Sequence, residues 1–95
     1  MSKKKAVLMI NPEIVFREED DGAFLFDPDT GRLCYLNELG TVMWKHFGRR
    51  LPKQEIIEMV AAEYPEVSVT QISSDCRQFI DDLKAFGFIK TAEKR

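Results

Sequence analysis

Two cysteines, one histidine, a run of four carboxylates and a small basic cluster are the side chains of this sequence that could do chemistry. Cys34 or Cys76 beside His46 would make a thiolate–imidazole nucleophile. That needs an oxyanion site as well, and no spacing in the chain supports such a geometry. His46 stands near Lys45, Arg49 and Arg50, late in a helical segment where positive charge is favoured, and reads as a surface histidine. Two cysteines so far apart suggest neither a disulfide scaffold nor a zinc site, and read as small apolar residues. The acidic run Glu18 to Asp21 lacks the alternating ligands and closing glutamate of a calcium loop, so it reads as a solvated hairpin turn. Gly48-Arg49-Arg50 with Lys53 reads as a solvated loop between helices. No catalytic constellation, cofactor site or metal site emerges.

The chain of 95 residues is expected to form a single domain, with 44% hydrophobic and 32% charged residues, an ordinary globular balance. Fourteen Lys and Arg against sixteen Asp and Glu give a formal charge of −2. That is a poor electrostatic footprint for a nucleic-acid binder, which needs a basic face to displace counterions. The apolar run Ala6 to Ile10 is too short for an export signal and is ended by Asn11-Pro12. No stretch approaches the length of a membrane span, so no membrane partner is expected and the cytoplasm is the expected location.

The elements that must position any site divide cleanly. Ile14 to Glu18, Ala23 to Asp27 and Arg32 to Leu36 read as three short strands joined by the turns "EDDG" and "PDTG". Such tight connections give an antiparallel meander, which leaves the third strand on an edge. Asn37 then caps a first helix that runs to about Phe47, with Leu39, Val42, Met43 and Phe47 on one stripe and Gly48 at its end. Trp44 lies off that stripe and is expected to pack against the sheet or another helix. Pro52 suits the first turn of a second helix, which buries Ile56, Ile57, Val60 and Tyr64 and stops at Pro65. Ser68-Val69-Thr70-Gln71 matches a capping box for a third helix carrying Ile72, Cys76, Phe79, Ile80, Leu83 and Phe86 and closing at Gly87. Phe88 and Ile89 add a short extended piece, and "KTAEKR" is expected to fray. The fold class is α+β: an N-terminal three-stranded antiparallel sheet followed by three helices, winged-helix-like although the sheet comes first.

At "YLNELGTVMWKHFG" the sequence resembles the PqqD family, coenzyme PQQ synthesis protein D, whose fold is also called the RiPP recognition element. The shared features are Leu36-Asn37 at the strand–helix junction, Gly40, and the run Val42-Met43-Trp44. "GAFLFDPDTGRLCYLN" is similar to the family's hairpin, "EIIEMVAAEYP" to its second helix and "VSVTQISSDCRQFIDDLKAFGFI" to its third. The likeness spans about residues 12 to 90, the expected extent of the core, with short flexible termini on either side. One departure is that the aspartate–glycine pair often found after the first helix is absent, and His46-Phe47-Gly48-Arg49 stands there.

The resemblance implies a non-enzymatic adaptor or peptide chaperone without a cofactor. Such a protein binds the leader segment of a ribosomally made precursor peptide and presents it to a modifying enzyme, often a radical SAM enzyme, as in PQQ biosynthesis. The peptide would lie as an added strand along Arg32, Leu33, Cys34, Tyr35 and Leu36, in a groove shared with the third helix. An exposed edge with unpaired N–H and C=O groups suits that role. On the third helix the acidic flank, with Asp75, Gln78 and Asp82, is expected to wall the groove and Phe79 to floor it; Arg77 and Lys84 occupy the opposite flank. The rival reading is a winged-helix nucleic-acid or regulator-binding protein with the third helix as reader. Its exposed Asp75, Asp81 and Asp82 would repel phosphate.

Overall fold

The computed structural model describes residues 5–94. Eight elements follow in order: β1 (Lys5–Ile10), β2 (Val15–Glu19), β3 (Gly22–Asp27), β4 (Arg32–Asn37), α1 (Glu38–Phe47), α2 (Lys53–Glu63), α3 (Val69–Phe86) and β5 (Ile89–Lys94). The expected three-stranded antiparallel sheet is present with order β2-β3-β4, and three helices follow it. The α+β class stands.

The β3–β4 hairpin closes as its turn residues dictate. The Asp27 carboxylate accepts from the Asp29 N–H at 2.9 Å, the Gly31 N–H donates to the Asp27 carbonyl at 2.7 Å, and Gly31 takes a positive φ of 77°. At the other end of the ladder Gly22 pairs with Asn37. A Cβ on Gly22 would lie 2.2 Å from the Leu36 carbonyl oxygen, so only glycine lets β3 and β4 meet there.

Two strands lie outside the expected set. Ala6 to Ile10 belongs to β1, which pairs antiparallel with β5 from Lys5↔Lys94 to Ile10↔Ile89. Residues 90–94, expected to fray, are therefore strand. Val7, Leu8, Phe88 and Ile89 are buried, so the core extends beyond the expected lower limit at residue 12. Neither segment alone has a decisive strand pattern; each is stabilised by a partner at the opposite end of the chain. The remaining flexible-terminus expectation concerns residues 1–4 and 95, which lie outside the described residues.

The helices obey their caps. The Asn37 side chain accepts from the Gly40 N–H at 2.8 Å, while Thr41 Oγ1 donates to the Asn37 carbonyl at 2.8 Å. Pro52 stands at the N-cap of α2 rather than inside its first turn, and Tyr64 caps its C-terminus half-buried. Ser68 Oγ accepts from the Gln71 N–H at 3.1 Å, but the Gln71 amide turns to Asp75 at 2.8 Å instead of returning to Ser68. Only half of the capping box forms. At the far end Gly87, at φ 80°, closes α3 with two reverse bonds, Gly87 N–H to Lys84 and Phe88 N–H to Leu83.

One apolar core joins both sheets and all three helices: Leu8, Leu25, Leu36, Met43, Trp44, Phe47, Ile56, Val60, Ile72, Ile80, Leu83 and Phe88 all contribute. Trp44 is 4% exposed and packs edge-on to Phe47, as its packed reading requires. Among the described residues no helix is long and apolar enough to cross a membrane.

Candidate functional site

β4 is an edge strand because β3 occupies one side of it and nothing among the described residues pairs with the other. Its side chains alternate. Cys34 and Leu36 turn toward the helices, half-buried and buried, whereas Leu33 and Tyr35 point out into solvent.

α3 runs beside this edge in the opposite direction. At the start of β4 the Arg32 guanidinium lies 4.2 Å above the Phe86 ring. Midway, burial pushes the Cys34 thiol pKa up, with the Arg32 charge lowering it and the Asp82 carboxylate raising it further. At the end of β4 an open groove of about 490 Å³ is lined by Tyr35, Leu36, Asn37, Leu39, Gly40, Met43, Asp75 and Phe79. α3 stays anchored on α2 and β5 instead of closing over β4.

The structure thus brings Leu36, Asp75 and Phe79 into one groove, with Tyr35 at its rim and its side chain turned to the outer face. Arg32, Cys34 and Asp82 sit farther along the same side. Leu33 lies on the opposite face of the sheet, in a separate depression with Val15, Arg17, Phe24 and Phe26. Gln78 does not line the groove; its amide donates to Asp82 at 3.0 Å on the exposed flank. Arg77 borders a different depression, with Val69, Thr70, Ser73 and Ser74.

Four lining residues were not among those expected: Asn37, Leu39, Gly40 and Met43. Leu39 and Met43 are one turn apart, so they present one face to the groove. Gly40 carried a signal. Glycine inside a first helical turn costs stability relative to alanine and therefore points to a close approach. Here a Cβ would lie 3.3 Å from Asn37 Oδ1 and 3.7 Å from the Phe79 ring.

The residues with chemical potential are otherwise engaged. His46 sits half-buried at the surface, its side chain 14% exposed, and Nε2 lies 2.6 Å from Glu63 Oε2, tying α1 to α2. Cys76 is fully buried, and that burial pushes its thiol pKa up to about 11. Neither thiol is activated as a nucleophile. The acidic run occupies the β2–β3 hairpin, where Glu18 pairs with Lys45 at 2.9 Å. Among the described residues no group of three or more His, Cys, Asp or Glu could hold a metal.

This order of elements, with an edge strand leading through an asparagine cap into α1, is matched by the family model for coenzyme PQQ synthesis protein D over residues 22–89. The chain belongs to the PqqD family. Two solved structures share its fold. TbiB1, solved in complex with the TbiA(beta) leader peptide, is 24% identical with a TM-score of 0.77, over 86% of this chain and 94% of that one. A lasso peptide synthetase B1 complexed with its leader peptide is 23% identical with a TM-score of 0.74, over 87% of this chain and 96% of that one. A search of curated proteins gives no match. The matched PqqD region contains β3, β4 and all three helices, hence the whole groove, and leaves out β1 and β2.

Proposed function

We propose that this member of the PqqD family is a peptide-binding adaptor. It takes the leader segment of a ribosomally made precursor peptide as an extra strand on β4 and presents it to a modifying enzyme. The observation that carries this reading is the unpaired β4 edge beside an open groove with an apolar floor of Leu36, Leu39, Met43 and Phe79. Main-chain pairing along Arg32–Asn37 supplies affinity, and the groove selects side chains. Asp75 borders the groove and Asp82 lies farther along the same side of α3. The two similar folds were each solved with a leader peptide, which supports the same use of this one.

The protein acts by holding and presenting rather than by catalysis, as one domain over its whole length. The neutral thiols and the engaged histidine agree with that role. The test is a backbone-amide NMR titration with the leader segment of a precursor peptide encoded beside this chain. Shifts are expected in Arg32–Asn37, the first turn of α1 and residues 75–82. Shifts confined to α2 and the loop at residues 48–50 would overturn the reading.

A further inference from the structure

The outer face of the β2-β3-β4 sheet carries two cross-strand rows. Val15, Phe26 and Leu33 stand in register as one row, and Arg17, Phe24 and Tyr35 as the other. Phe24 and Tyr35 meet edge-on with ring centroids 5.4 Å apart. Both rows run off the sheet at β4 and end on large side chains left in water: Leu33 is 62% exposed and Tyr35 55%. Facing side chains on neighbouring strands are the unit by which a sheet stabilises itself, so each row lacks its last member.

We infer that the docked peptide is read on both of its faces, and that its outward side chains complete these two rows. The inference rests on strand addition at β4. A strand paired there places one residue opposite each of Leu33, Cys34, Tyr35 and Leu36, with side chains on the same face as the residue they oppose. The residues opposite Leu33 and Tyr35 fall on the outer face and prolong the two rows at their apolar ends, Phe26–Leu33 and Phe24–Tyr35. The residue opposite Leu36 falls on the inner face, where Leu39, Met43 and Phe79 form the groove. The preferred ligand is therefore an extended segment with apolar residues at the first, third and fourth positions of a four-residue frame, or the reverse order if it binds in the other direction. A segment that is apolar only at alternate positions satisfies one face and leaves the other exposed. The same depression, about 330 Å³ and continuous with the binding edge through Leu33, is thus part of the peptide site.

The experiment selects binders to the full chain from a displayed library of random ten-residue linear peptides. Selected peptides are expected to share the first-third-fourth apolar frame and to shift the amides of residues 32–37. Leu33→Ser changes an exposed side chain, and a thermal melt checks that the variant remains folded. It should weaken a selected peptide about fivefold without abolishing those shifts. Peptides that shift the β4 amides, show apolar enrichment on one face only and bind Leu33→Ser as tightly would overturn two-faced reading while leaving strand addition intact. Binders that leave the β4 amides silent, or an absence of binders, would overturn both. A chain that sediments as a dimer and becomes monomeric with Leu33→Ser would assign the outer face to a second copy and overturn the inference as well.

Discussion

Asn37 works in two elements at once: it is the last residue of β4 and the cap of α1. Asn37→Ala removes the acceptor for the Gly40 N–H and should cost about 0.5–2 kcal/mol in a urea denaturation series. No loss would mean that the cap bond contributes nothing. Cys76 makes a different prediction. Its thiol pKa rises from 9.0 unfolded to about 11 folded. Below pH 9 both states carry the neutral thiol, and its contribution to stability is fully present. Between pH 9 and about 11 the unfolded chain ionises first, so stability falls as pH rises. Comparing wild type with Cys76→Ala by denaturation across pH 8–11 should show this component of the slope only in the wild type. Caps and turns were legible in the sequence because their chemistry is local. The contact of His46 with Glu63 was not, because Glu63 belongs to the next helix.

At the scale of the element, β4 depends on which way each backbone N–H points. Alternation directs the N–H groups of Cys34 and Tyr35 to opposite sides, one toward β3 and one toward the open edge. Proline at the inward position should mainly lower the melting temperature. At the outward position it should abolish peptide binding while the fold persists. Equal binding by both variants in a titration calorimeter would exclude main-chain pairing at this strand. The β1–β5 pair makes a stability prediction, since Ile89 is buried in the core and residues 90–94, expected to fray, pair with β1. Ile89→Ala should cost about 2–5 kcal/mol by denaturant unfolding. A pairing between opposite chain ends leaves little local trace, whereas the hairpins of β2-β3-β4 are announced by their own turns.

For the molecule as a whole, charge argues against the winged-helix rival. The net charge is −2, and the outer side of α3 exposes Asp81 and Asp82. Duplex DNA should not be retained by the protein in a gel-shift assay at physiological salt. Tight retention that weakens steeply with added salt would reinstate the rival. The groove depends on where α3 is anchored: α2 and β5 hold it, while β4 keeps its unpaired edge. An α3 packed directly on β4 would have used up the edge.

The order of β2, β3, β4 and the three helices, the caps at Asn37 and Ser68, the stop at Gly87 and the edge status of β4 followed from the sequence alone. Each depends on interactions within a few residues, or on a meander whose short turns leave no other strand order. The likeness carried by Leu36-Asn37 and Val42-Met43-Trp44 reached the family. Only the tertiary structure decided that β1 and β5 pair, that the first turn of α1 lines the groove, and which flank of α3 borders it. Those features depend on packing between segments distant in the chain, where a helical stripe specifies that a face is buried but not against what.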